Sequence, residues 1–178
     1  MSAKLKTQVA ILMGSDTDLP VMMSCVRILE EFGVAYDIKV LSAHRTPTET
    51  VRYVKQAPGK GIRVFVAAAG GAAHLAGVIA GHTTYPVIGV PIESSSLKGL
   101  DSLLSTVQMP GGIPVGTMAI GKSGAKNAGI FAVEILALSN PTLAKKLGQY
   151  KKSMAQSVLA KNKSIKKNAG NIDARSVR

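Results

Sequence analysis

The seven residues Gln8-Val-Ala-Ile-Leu-Met-Gly14 constrain this chain more than any other stretch. A near-continuous apolar run of strand length, stopped by glycine, reads as a strand buried on both faces. That is the condition of a parallel sheet covered by helices on each side. Helix-start chemistry follows at Asp18-Leu-Pro20, and Val21, Cys25, Ile28, Leu29 and Phe32 then share one helical face before Gly33 stops the helix.

The same unit recurs along the chain. Ala35–Leu41 alternates as a second strand. Thr46-Pro47-Thr48-Glu49 reads as a helix N-terminus, with a Thr cap, proline at the first helical position and a capping-box acid. Ile62–Gly71 is the third strand, Ala72–Ala80 a small-residue helix closed by Gly81, and Tyr85–Pro91 the fourth strand. Ile113–Gly121 is expected as the fifth strand and Ser123–Leu138 as the last core helix. Strands alternating with helices predict an α/β fold with a parallel sheet and right-handed crossovers. Such sheets bind ligands beyond the carboxyl ends of their strands. Four segments are therefore expected to converge at one edge: Gly14–Asp18, Ser42–Arg45, Gly70–His74 and Val90-Pro91.

At 178 residues and 46% hydrophobic, the chain has the size of one domain and the means to form a sizeable core. No apolar run is long enough to span a bilayer, and the apolar run near the N-terminus is too short for a signal peptide. The single Cys25 excludes an internal disulfide and fits a reducing compartment, so a cytoplasmic location without membrane association is expected. The formal charge of +12 is unevenly spread: residues 1–144 hold 12 Lys/Arg against 9 Asp/Glu, and residues 145–178 hold 10 against Asp173 alone. Basicity thus belongs to the end of the chain, and residues 1–150 are expected to form a single α/β domain with 151–178 as a basic C-terminal helix and tail. Leu143, Leu147, Tyr150, Met154 and Val158 recur as one helical stripe, so a docked helix with solvated lysines is the expectation and a nucleic-acid partner is not. Apolar residues thin out from Lys161, which predicts fraying.

The converging segments carry the chemistry. Ser15, Ser42, Arg45 and two helix starts offer hydroxyls, backbone N–H groups and a guanidinium, a set suited to a phosphate. Asp18 could accept hydrogen bonds from sugar hydroxyls or simply cap its own helix. His44, at a strand end beside this anion site, is a candidate acid and base near neutral pH. His74 reads equally as a site residue or as a structural histidine. Gly70 and Gly71 permit close backbone approach or positive φ, and with Ala72 leave space for something small and flat. "GTMAIGKS", Gly116–Ser123, matches the phosphate-loop pattern letter for letter, but its middle residues continue an apolar run and read as strand.

Taken in order, "MGSDTD", "SAHRTP", "AGGAAHLAG", "VIGVPI", "DSLLSTVQMPGGIPVGTMAIG" and "NAGIFAVEIL" resemble N5-carboxyaminoimidazole ribonucleotide mutase of purine biosynthesis, the class I PurE family, from about Val9 to about Tyr150. The resemblance implies a three-layer αβα sandwich, flavodoxin-like or Rossmann-like, with a central parallel sheet and a C-terminal helix. It implies that Ser15 and Arg45 hold the ribonucleotide phosphate, Asp18 the ribose hydroxyls, and His44 acts as general acid and base. It also implies that Ser42 and the segment Gly70, Gly71, Ala72 to His74 complete the substrate site, the latter covering the imidazole and a CO2 pocket. The family uses no cofactor or metal and assembles as a homo-octamer with sites completed by neighbouring subunits. A sister class that carboxylates aminoimidazole ribonucleotide directly carries Lys in place of Arg45 and a differently built glycine segment, so "HRTP" and "GGAAHL" side with the mutase. Asp16 adds a charge beside the phosphate site and is expected to point to solvent.

Overall fold

In the structure, a computed structural model, residues 7–93 and 96–173 are described, with the side chains of 163, 164 and 166–173 set aside. The chain divides into two compact units, Met1–Leu136 and Ala137–Arg178. In the first, strands β1 (Val9–Met13), β2 (Tyr36–Val40), β3 (Val64–Gly70), β4 (Val87–Ile92) and β5 (Gly116–Thr117) alternate with helices α1 (Leu19–Phe32), α2 (Pro47–Gln56), α3 (Leu75–Ala80), α4 (Leu100–Val107) and α5 (Gly121–Ala137). The strands form one sheet in the order β2-β1-β3-β4-β5, and every pairing is parallel. This is the flavodoxin-like order, whose direction of winding reverses between β1 and β3.

Every residue of β1 and the first five of β3 are buried, as a strand covered on both faces requires. Alternation then divides their side chains between two layers. Ala10, Leu12, Phe65 and Ala67 join Val54, Ala57, Leu75, Ala76 and Ile79 in one cluster beneath α2 and α3. On the opposite face α1 and α5 pack closely: a Cβ on Gly129 would stand 3.0 Å from the Cys25 carbonyl oxygen and from Ile28. Helix α1 ends at Gly33, whose φ of 73° is the left-handed conformation glycine adopts freely. The expected sandwich of helices, sheet and helices is therefore present.

Three local expectations are corrected, and one helix was not expected. The fifth strand is only Gly116–Thr117, because Gly112 at φ 92° and Pro114 keep the preceding chain out of the ladder. Helix α3 starts at Leu75 and not at Ala72, since Gly71 and Ala73 both take positive φ. Thr46 forms no capping box at α2: its hydroxyl instead donates to the Ser42 carbonyl and accepts from the Ser42 N–H, while Glu49 pairs with Arg52. Helix α4 is unanticipated. Its buried residues are Ser102 and Thr106, while Leu100, Leu104 and Val107 are exposed, which inverts the pattern that marks a core helix.

The second unit holds α6 (Pro141–Asp173). The Asn140 side-chain oxygen accepts from the N–H groups of Thr142 and Leu143 at 3.1 and 3.2 Å, capping the helix. Of the anticipated stripe, Leu143 and Leu147 are buried and Met154 and Val158 exposed. The helix continues past Lys161, where fraying is predicted, and residues 174–178 lie outside the described part. Among the described residues no helix is long and apolar enough to cross a membrane.

Candidate active site

A cavity of about 390 Å³ opens at the carboxyl edge of β1, β2 and β3, lined by Gly14, Ser15, Thr17 and Asp18, by Ser42 to Arg45, and by Ala69, Gly70 and Ala73 to Leu75. Three of the four segments expected at this edge meet there. Val90-Pro91 does not: both residues lie inside β4, with Pro91 paired to Ala69. β5 pairs only with Ile88 and Gly89, so Pro91 stands beyond the ladder on that side and its missing N–H breaks no bond.

The turn after β1 is built by Ser15. Its hydroxyl accepts from the Thr17 N–H at 3.3 Å and from the Thr17 hydroxyl at 2.9 Å, and donates to Asp16 Oδ1 at 3.1 Å. In return, Asp18 Oδ2 accepts from the Ser15 N–H at 3.2 Å, so this short turn carries the reciprocal cap that α2 lacks. Asp18 is only 4% exposed yet lines the cavity. Burial pushes its carboxyl above the usual value; the Ser15 N–H opposes this, and the neighbouring Asp16 charge adds to it. Asp16 itself is exposed and absent from the lining, with Oδ1 folded back to accept from the Thr17 N–H.

The turn after β2 is organised by buried Ser42. Its oxygen accepts from the Arg45 N–H at 3.2 Å and from Nε at 3.5 Å, and Arg45 Nη2 reaches across to donate to the Gly14 carbonyl at 2.9 Å. Arg45 is thereby held over the gap between the first two turns, and α2 starts beside it without a side-chain cap. His44 lies next to it, and its Nε2 is 2.6 Å from Nδ1 of His74. The two rings meet edge to face, with centroids 4.8 Å apart and planes at 78°. The third turn supplies His74 through a strained backbone, with Gly71 at φ 60° and Ala73 at φ 43°. Gly70, Ala73 and His74 line the cavity; Gly71 and Ala72 do not.

The edge therefore gathers, around one concavity, a guanidinium, hydroxyls, a buried carboxylate and two coupled imidazoles. Such a set can bind an anion at one end and move a proton at the other. The His44–His74 contact and the lining by Thr17 and Leu75 escaped the sequence. A position directly after β3 was the available signal for His74, but contact across 30 residues has none. Among the described residues no three His, Cys, Asp or Glu side chains are grouped to hold a metal ion.

Known proteins share this arrangement of sequence and fold. The sequence model of the family described as AIR carboxylase matches residues 8–157. The N5-carboxyaminoimidazole ribonucleotide mutase of Thermotoga maritima is 55% identical over 154 residues, 86% of this chain and 89% of its own. That of Pyrococcus horikoshii is 56% identical over 160 residues, 90% of this chain and 89% of its own. A solved structure of PurE from Treponema denticola superposes with a TM-score of 0.80 at 28% identity, covering 88% of this chain and 97% of that one.

Proposed function

Because the chain belongs to the AIR carboxylase family, we propose that it is an isomerase of purine biosynthesis, converting N5-carboxyaminoimidazole ribonucleotide to 4-carboxy-5-aminoimidazole ribonucleotide. Relatives named for that mutase, at 55% and 56% identity over most of both chains, support the reaction. The observation that carries the reading is that His44 opens into the same cavity as Ser15, Asp18, Ser42 and Arg45.

In this reading Ser15 and Arg45 anchor the phosphate, Asp18 accepts from the ribose hydroxyls, and Ser42 steadies Arg45. The segment from Gly70 through Gly71 and Ala72 to His74 covers the imidazole and retains CO2 against it. His44 begins as the imidazolium. The bond from N5 to the carboxyl carbon breaks, its electron pair stays on N5, and N5 takes the proton from His44 as neutral CO2 is released. Ring carbon C4 then bonds to the CO2 carbon with a ring π pair, and the proton on C4 passes to the neutral imidazole, restoring its charge. One proton leaves and returns, so no cofactor is needed. Retention of CO2 in a small dry pocket makes the second step effectively intramolecular.

The catalytic unit is residues 1–150, in a cytoplasmic homo-octamer whose sites lie at subunit interfaces, with 151–178 as a basic appendage. The exposed leucines of α4 support self-association.

A direct assay separates mutase from carboxylase. Purified protein should convert N5-carboxyaminoimidazole ribonucleotide without ATP or bicarbonate, and far faster than it carboxylates aminoimidazole ribonucleotide supplied with CO2. His44→Asn should lower turnover by about a thousandfold. Preference for aminoimidazole ribonucleotide plus CO2, or full activity in His44→Asn, would refute the reading.

A further inference from the structure

We infer that Asp16 competes with the phosphate of the ligand for the hydrogen-bond donors of the turn after β1, and so sets how loosely that phosphate is held. The competition presumes the reading above, in which Ser15 and Arg45 anchor the phosphate; the hydrogen bonds behind it do not.

The polar hydrogens of that turn are committed within it. The Ser15 hydroxyl donates to Asp16 Oδ1 at 3.1 Å, and the Thr17 N–H donates to the same oxygen at 3.1 Å. The Thr17 hydroxyl donates to Ser15 Oγ at 2.9 Å, and the Ser15 N–H to Asp18 Oδ2 at 3.2 Å. Two of these four hydrogens thus go to the Asp16 carboxylate. Ser15 and Thr17 line the cavity and Asp16 does not, so the acid draws on donors of the lining from outside it. A hydroxyl has one hydrogen to give. Ser15 cannot donate it to Asp16 and to a phosphate at once.

Nothing else fixes the acid in place. Asp16 is exposed, and among the described residues no cation stands at ion-pair distance from it. Arg45 spends Nη2 on the Gly14 carbonyl and Nε on Ser42. Rotation about χ1 carries the Asp16 carboxylate to solvent and frees the Ser15 O–H and the Thr17 N–H for a second anion. An acid at a helix start is the internal counterpart of the anion that such a start attracts. Two effects then weigh against the phosphate: its donors must first be released, and a charge of its own sign stands nearby. The first belongs to an acceptor oxygen and the second to the charge, so substitution separates them. The phosphate is unchanged by the reaction, so Asp16 loosens substrate and product alike and stays out of the chemical step.

Asp16→Asn keeps an oxygen for Ser15 and Thr17 and removes the charge; Asp16→Ala removes both. Titration calorimetry with ribose 5-phosphate reads the affinity without turnover. Asp16→Asn should bind it about two- to tenfold more tightly than the parent, and Asp16→Ala about five- to fiftyfold. Under turnover both variants should show a lower KM and no rise in kcat. A carboxylate that merely caps its turn gives a different order, with Asp16→Ala weaker than the parent and Asp16→Asn equal to it. Glu31→Gln, an exposed acid in the last turn of α1, changes the net charge equally and serves as the control. Unchanged or weaker binding in either Asp16 variant overturns the inference, as does equal tightening in Glu31→Gln, or no binding by the parent and both variants. If ribose 5-phosphate binds in the expected order but N5-carboxyaminoimidazole ribonucleotide is not turned over, the mutase reading falls alone.

Discussion

Asp18 concentrates the conflict between folding and binding in a single carboxylate. It is nearly buried, it closes the Ser15 turn, and it lines the cavity. Its carboxyl holds its proton to higher pH in the folded chain than the ordinary value of 3.8, chiefly because burial disfavours the charge. Between the two values the native state binds more protons than the unfolded state, so stability from this group is complete below the ordinary value and is lost as pH rises through the raised one. Asp18→Asn removes the ionisation and keeps an acceptor for the Ser15 N–H. Its melting temperature should exceed the parent's at pH 7, with the difference vanishing as pH approaches 3.8. Loss of a charged acceptor for the ribose should raise KM by about ten- to a hundredfold. A lower melting temperature at pH 7 would show that the carboxylate stabilises the fold. At this scale the sequence was informative about His44, Arg45 and Ser15, because position in a strand-to-helix turn places them. It was silent on the two-histidine contact, which depends on a positive φ at Ala73 that no alanine announces.

Elements were legible where burial is two-sided. β1, β3 and β4 are apolar runs because both faces meet helices, and from them the parallel sheet follows. Legibility failed where polarity and burial part company. In α4 the inward residues Ser102 and Thr106 satisfy their hydroxyls locally, Ser102 donating to the Ile92 and Gly99 carbonyls at 2.9 and 2.8 Å and Thr106 to the Ser102 carbonyl at 2.7 Å. The small inward side chains suit Gly89 of β4, where an added Cβ would run into the Thr106 methyl group. The phosphate-loop lookalike fails for a related reason. Gly116 and Thr117 are strand, and a Cβ on Gly124, in the first turn of α5, would strike the Ala119 carbonyl oxygen. A carbonyl, and not a ring of N–H groups, thus crowds that helix start. Two glycines of the helices should then behave oppositely. Gly124→Ala should lower stability by about 2 kcal/mol or more, because backbone must shift. Gly148→Ala in α6, where nothing lies within 4 Å of the new Cβ, should raise helix stability by roughly 0.5–1 kcal/mol. Melting both by far-UV circular dichroism at one protein concentration checks the pair; similar shifts in the same direction would show that local space does not govern them.

For the molecule as a whole, the exposed face of α4 bears on assembly more than the charge does. Leu100, Leu104 and Val107 are 50, 46 and 52% exposed and recur every three or four residues of α4, so they form one stripe and not scattered surface residues, with Leu97, 61% exposed, in the turn before it. Single exposed leucines are ordinary; an aligned set is the mark of a covered surface. The net charge of +3 over residues 1–144 allows copies to approach, whereas the +9 over 145–178 would keep like tails apart. In the proposed assembly the stripe of one copy would meet that of another in a closed symmetric pair, and pairs of pairs would build the larger closed oligomer. Leu104→Asp tests the stripe without touching the inward Ser102 and Thr106. Light scattering after gel filtration should show particles smaller than the parent's, descending toward the 18.5 kDa chain, while circular dichroism stays the same. Turnover should fall with the mass, since each cavity is completed by a neighbour in the proposed assembly. A variant of parental mass would remove the stripe as an interface, and a dissociated variant of parental turnover would mean that the three turns of one chain suffice for the reaction.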